Sequence, residues 1–219
     1  MATYTTRELS PETWPDFERI FSQGNGWDFC WCMAFHTGPK PSRTRYRTRA
    51  EVNVANQSAK RERVFNGRAH GILVYADDAP VGWCQFGLAC DLGAAEPAED
   101  TWRITCFVVL RPYRHRGIAG IALRAALESI RRRGGHVVEA HPIAAWTHSP
   151  TGSPDAVEVK GVGLVAPAWG GFNNVSTSGT VSMFEKEGFM PVRVLEASSK
   201  RVDATGAAGY RVLMGYVIT

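Results

Sequence analysis

Apolar residues at Trp14, Phe17, Ile20 and Phe21 recur at helical spacing and give one apolar face. Ser10-Pro11-Glu12 ahead of them offers a cap, a first-turn proline and an acid, so the helix is expected to begin there. Residues 4–9 read as a short strand before it. Residues 71–75 and 81–88 are two apolar strands around the turn Asp77-Asp78-Ala79-Pro80, which predicts a hairpin. Residues 101–110 form a further strand, rich in β-branched and aromatic side chains. The clearest helix covers 116–133. Ile118, Ile121, Ala122, Ala125 and Ser129 trace its buried face, and Leu123, Leu127 and Ile130 widen it. Arg131, Arg132 and Arg133 suit its C-terminal dipole, and Gly134-Gly135 ends it. Strands follow at 136–140, 190–196 and 210–218, with a short helix at 180–187 stopped by Gly188. The order predicts an α/β chain.

Two segments resist this reading. Residues 43–66 look helical and carry Arg43, Arg45, Arg47, Arg49, Lys60, Arg61 and Arg63 against only Glu51 and Glu62. Such a stretch is read first as a solvated face, with an acidic acceptor or a nucleic acid as the alternative. Residues 141–179 are too long for a plain connection. Trp146, Trp169, Gly170, Gly171, Phe172, Asn173 and Asn174 within them are candidates for a lid over an acceptor, with a disordered surface insertion as the alternative.

Composition narrows the class. The 219 residues are 44% hydrophobic with a formal net charge of +4, enough to bury a full core and too mildly basic to name a partner. No linker separates independent domains, so one domain over 1–219 is expected, with 1–70 as an N-terminal part and 71–219 as the core. Five cysteines, an odd count, argue against a disulfide framework. With neither a leader-like N-terminus nor an apolar run long enough to span a bilayer, a reducing cytoplasm is the expected location. Cys30, Cys32 and His36 are too few and too closely spaced for structural zinc. Their neighbours Trp27, Phe29, Trp31, Met33 and Phe35 point instead to a buried apolar segment, and no metal is expected.

Candidate chemistry concentrates in Cys106-Phe-Val-Val-Leu-Arg-Pro-Tyr-Arg-His-Arg-Gly-Ile-Ala-Gly120, a buried strand running through a basic turn into a helix. The first amides of a helix lack intrahelical acceptors and carry the positive end of its dipole, so a diphosphate placed there gains several charge-assisted bonds. Gly117, Ala119 and Gly120 keep side chains clear, and Arg114 and Arg116 add charge. A basic strand-to-helix turn with no ligand would look similar, so the wider context decides.

Arg114-His-Arg-Gly117-Ile-Ala119 resembles the core signature of the GNAT superfamily of acyl-CoA N-acyltransferases. Pro80-Val-Gly-Trp-Cys-Gln-Phe86 and Met183-Phe-Glu-Lys-Glu-Gly-Phe189 resemble two further family markers and fall in the family's order, the likeness running over 71–218. The segments at 30–33 and 180–184 are similar to an actinobacterial branch of it. The resemblance implies a twisted, splayed mixed sheet of about seven strands with helices on both faces. It implies acetyl-CoA as cofactor, held by Phe107, Val108 and Val109 and by Arg114, His115, Arg116, Gly117, Ile118, Ala119 and Gly120, with a backbone N–H, that of Val109, stabilising the oxyanion. The acceptor implied is a primary amine on a small molecule or peptide, acetylated directly in a ternary complex, and a homodimer is compatible with the family. Alternation places Glu139 and His141 on one face of their strand, where either could take the amine proton. The family's usual acidic tyrosine falls on Phe184 here, with Ser178, Thr180 and Ser182 as the nearby hydroxyls and Ser182 the candidate among them. That departure keeps a non-catalytic acyl-CoA-binding module open as an alternative, and the basic stretch keeps an enzyme acting on aminoacyl-tRNA or another nucleic acid open beside it.

Overall fold

The protein is seen in a computed structural model that describes residues 3–23, 29–36, 48–93, 99–145, 157–159, 163–165, 178–195 and 209–218. The chain divides into two compact units, Met1–His136 and Val137–Thr219. The first holds β1 (Tyr4–Glu8), α1 (Trp14–Phe21), α2 (Arg49–Phe65), β2 (His70–Ala76), β3 (Ala79–Leu88), β4 (Thr101–Val109) and α3 (Ile118–Arg132). Its four strands lie in the order β1-β2-β3-β4, each antiparallel to the next.

Adjacent residues of β3 show how both faces of this sheet are covered, because successive side chains point to opposite sides. Trp83 meets Phe17 of α1 edge-on at 4.7 Å. A Cβ on Gly82 would lie 2.5 Å from Ile118 Cγ2, so glycine there admits the first residue of α3 against the sheet. α1 and α3 therefore occupy opposite faces, and β3 is buried along nearly its whole length. α3 buries Ile118, Ala122, Leu123, Ala126, Ser129 and Ile130. The face is rotated slightly from the expected one, with Ala126 replacing Ala125.

α1 starts at Trp14, later than expected. Thr13 is its N-cap, and the Thr13 hydroxyl donates to Glu8 O (2.8 Å) while accepting from Ser10 N (2.8 Å). The Ser10-Pro11-Glu12 run is thus a closed turn ahead of the helix. α2 likewise starts at Arg49 rather than 43, after a capping box between Thr48 and Glu51. Positions 43, 45 and 47 lie outside the described residues. The reading of 43–66 as one solvated basic face fails at Lys60, which is fully buried.

The far end of α3 is tied to β1. Glu8 accepts from Ser129 Oγ (2.8 Å), Arg132 Nη2 (2.7 Å) and Arg133 Nη2 (2.8 Å). Partial burial pushes the Glu8 carboxyl up, but these donors, Arg133 first, outweigh it and hold it below its usual value. A carboxylate with a depressed folded-state pKa contributes stability above its unfolded value near 4.5, lost as pH falls through the folded value. Glu8→Gln is therefore expected to cost about 1 kcal/mol at pH 7, discounted for solvent screening. Thermal melts should show its difference from wild type shrinking at low pH. An equal difference at both pH values would refute the assignment.

The second unit is built around β10 (Gly209–Val217), which pairs antiparallel with β5 (Val137–Ala140), β6 (Ile143–Ala145) and β9 (Met190–Leu195). It also contains α4 (Val181–Lys186) and a hairpin of β7 (Val157–Val159) and β8 (Gly163–Val165). The stretch 141–179, expected as a connection without strands, thus carries β6, β7 and β8. Trp146, Trp169 and residues 170–174 lie outside the described residues. Among the described residues, no helix is long and apolar enough to cross a membrane.

Candidate functional site

β4 carries the strand part of the candidate cofactor site. Leu110 N donates to Val81 O (3.0 Å), so these two form a hydrogen-bonded pair and their neighbours Val109 and Gly82 a non-bonded one. By the same alternation, Phe107 and Val109 turn their N–H and C=O groups away from β3, while Val108 bonds to it. Phe107 and Val108 are buried. The Val109 carbonyl accepts from Arg114 Nε (3.1 Å), which anchors the following turn to the strand end.

That turn is a single 3-10 stretch, Arg111–Tyr113, containing Pro112. His115 follows at φ 60° and Gly117 at φ 77°, both left-handed. Gly117 is the N-cap of α3, and a Cβ placed on it would meet nothing within 4 Å. Glycine is required there by the backbone, and the space beside it is open. The first helical bond runs from Ile121 N to Gly117 O (3.1 Å), so the amides of Ile118, Ala119 and Gly120 precede the intrahelical ladder. Arg116 is exposed, with its guanidinium 5.6 Å from the Tyr113 ring centroid. Amides with no helical partner, an open approach and two guanidinium groups make this a fitting cradle for a diphosphate.

Glu139, His141 and Ser182 lie in the second unit. Glu139 is half-buried in β5 opposite Gly215, on the face that also carries the exposed Val137 and Val217. His141 follows the strand and is half-buried. Ser182 Oγ lies 3.3 Å from Thr180 Oγ1, the N-cap that accepts from Met183 N. Phe184 is fully buried, edge-on to Phe189 at 4.9 Å, and Phe189 stacks on Tyr216 at 5.1 Å. Position 184 is therefore a packing position. The sequence reading passed over Tyr216, a phenol in the same aromatic row. Only its place opposite Val138 in the ladder draws attention to it.

Among the described residues, no group of three or more His, Cys, Asp or Glu is placed to bind a metal ion. His36 Nε2 lies 3.0 Å from Lys60 Nζ, and Cys32 Sγ lies 3.0 Å from Cys106 Sγ.

A strand, a basic turn and a glycine-capped helix whose first amides have no helical partner place the chain among α/β proteins with a helix start shaped to receive an anion. The family model described as the Acetyltransferase (GNAT) family matches residues 7–148, nearly two thirds of the chain. The chain belongs to that family. Similar solved structures include an N-acetyltransferase from Staphylococcus aureus Mu50 (12% identity, TM-score 0.56, covering 100% of both chains). A ribosomal-protein-alanine N-acetyltransferase from Brucella melitensis aligns at 14% identity and TM-score 0.52, over 98% of this chain and 99% of that one. A Salmonella typhimurium protein solved with its cofactor acetyl-CoA aligns at 12% identity and TM-score 0.53, over 99% of this chain and 94% of that one. At these identities the likeness concerns the fold, which is the α/β GNAT fold expected from the sequence. No curated relative matches the sequence.

Proposed function

We propose that this chain is an N-acetyltransferase that moves an acetyl group from acetyl-CoA to a primary amine by direct transfer in a ternary complex. The observation that carries the reading is two sets of backbone donors along one segment: the Val109 N–H, turned away from β3, and the amides of 118–120, which precede the helical ladder beside the open Gly117. Acetyl-CoA supplies an activated thioester whose thiolate is a tolerable leaving group. The chain's own part is to hold the diphosphate on the α3 start with Arg114 and Arg116, and to direct the Val109 N–H at developing negative charge.

Glu139 or His141 accepts the amine proton, directly or through water, and Ser182 is the hydroxyl we assign to the thiol end. Direct transfer is favoured by Cys84, the cysteine of the third-strand marker. Burial raises its thiol well above the usual range, and a thiol kept protonated in the core is a poor acyl carrier. One similar structure is described as a ribosomal-protein-alanine N-acetyltransferase, so the acceptor class we assign spans small-molecule and peptide amines. The burial of Lys60 removes one charge from the basic stretch and weakens the nucleic-acid reading.

The test is thiol release from acetyl-CoA across a panel of amines, with calorimetry of acetyl-CoA binding in parallel. Glu139→Gln should lower kcat by about 10- to 100-fold, with acetyl-CoA affinity unchanged, if Glu139 is the base. Loss with His141→Ala alone would move the role to His141. Binding without turnover on any amine would leave a non-catalytic acyl-CoA module, and no binding would end the reading altogether.

A further inference from the structure

The core of the first unit contains polar groups that acetyl transfer does not use. Lys60 Nζ is fully buried and bonds His36 Nε2 and Gln85 Oε1, each at 3.0 Å. It also lies 5.9 Å from the Phe17 ring centroid and 5.6 Å from that of Trp83. Beside it, Cys32 Sγ and Cys106 Sγ are 3.0 Å apart, and Trp83 Nε1 donates to Cys32 Sγ at 3.2 Å. Both cysteines are free thiols in the structure. Cys32 and its neighbour Trp31 adopt left-handed backbone at φ 50° and 49°, a conformation costly for residues other than glycine.

We propose that Cys32 and Cys106 are a peroxide-oxidisable dithiol that closes to a disulfide joining the 29–36 segment to β4. The sulfurs need to approach by only about 1 Å to reach bonding distance. The environment gives the two thiols different parts. Burial pushes the Cys32 thiol up, but the hydrogen bond with Cys106, the Lys60 ammonium and the Trp83 donor outweigh it and draw it down. Cys106 is raised well above the usual value, first by its hydrogen bond with Cys32 and then by burial. One sulfur is thus the attacking thiolate and the other a proton-bearing resolver.

The Cys32 thiolate attacks one oxygen of hydrogen peroxide and expels hydroxide, giving the sulfenic acid. The Cys106 sulfur then displaces the sulfenic hydroxyl, which leaves as water with the Cys106 proton. The dithiol loses two electrons, and the peroxide, once its hydroxide is protonated, becomes two waters. Local opening of the short strained segment admits the oxidant.

The experiment does not depend on acetyl-CoA, so it stands or falls apart from the proposed function. Reduced protein is exposed to hydrogen peroxide, its remaining thiols are alkylated, and it is digested without reductant for mass mapping. The expected product links the Cys32 peptide to the Cys106 peptide, is two hydrogens lighter than their sum, and is released by dithiothreitol. Cys30→Ser, which leaves Cys32 as the one cysteine of its peptide, should give the same product. In Lys60→Met, which removes the neighbouring ammonium, linkage should slow by roughly tenfold. Recovery of Cys106 as a fully alkylated thiol, at a peroxide dose that consumes the exposed Cys90, would overturn the proposal. So would a Cys106 link to Cys84 or Cys30. Linkage in a folded Lys60→Met protein at the wild-type rate would overturn Cys32 as the attacking thiolate.

Discussion

Gly117→Glu is expected to abolish measurable acetyl-CoA binding while the protein stays folded. The two consequences separate because of the local geometry. A side chain at 117 meets no protein atom within 4 Å of its Cβ, so nothing in the fold resists its bulk. What the fold resists is the backbone angle: at φ 77°, a residue with a Cβ costs about 1–2 kcal/mol. Gly117→Ala carries that cost with neither the charge nor the length, and is the control. In the glutamate variant, the carboxylate stands where the diphosphate would lie. It blocks charge-assisted bonds worth about 1.5–3 kcal/mol each. Two of these, before any like-charge repulsion, exceed a 100-fold loss of affinity at about 1.4 kcal/mol per decade. Calorimetry of the three proteins, with circular dichroism to verify folding, decides the matter. Wild-type affinity in the glutamate variant would remove acetyl-CoA from the α3 start and the proposed function with it. A large loss in both variants would point to backbone distortion instead.

The strand, turn and helix start of the proposed cofactor site were legible because they lie in one contiguous segment. Strand alternation, a proline-containing turn, a glycine at the helix start and a long amphipathic helix are all local signals, and 106–132 contains them in order, while the positive φ of Gly117 shows only in the structure. The hairpin of β2 and β3 was legible for the same reason. The residues proposed for proton transfer lie on or beside β5 and α4, where a residue's role depends on packing that spacing does not encode. Periodicity could not show that Phe184 fills an aromatic core or that Tyr216 joins the same row. The three short strands β6, β7 and β8 are too brief for alternation to register.

Lys60 was misread for an instructive reason. Its neighbours in α2 are polar and charged, so its helix reads as solvated, yet its ammonium ends among Gln85, His36 and the sulfurs. Nothing near it in sequence records partners supplied by β3 and by the 29–36 segment. Burial lowers its pKa to about 8, the nearby thiols, Cys32 first, opposing that shift. A long-range polar cluster of this kind becomes visible only once the strands are in register.

Trp83→Ala is expected to be among the most destabilising single substitutions in the first unit. Trp83 is fully buried, lies edge-on to Phe17, and sits so close above β2 that a Cβ on Gly71 would fall 2.0 Å from its Cη2. Removing the indole leaves a cavity walled by α1, β2 and β3, for which about 3–5 kcal/mol is the usual cost. It also withdraws the Nε1 donor from Cys32, leaving that sulfur with Cys106 and the Lys60 ammonium. Trp83→Phe is the milder change, since it keeps part of the ring packing and loses the donor together with the outer edge of the indole, at about 1–3 kcal/mol. Urea denaturation followed by circular dichroism should place the phenylalanine variant between wild type and alanine. An alanine variant within about 1 kcal/mol of wild type would mean that the cavity collapses, and that β3 is not the strand on which the packing of α1 depends.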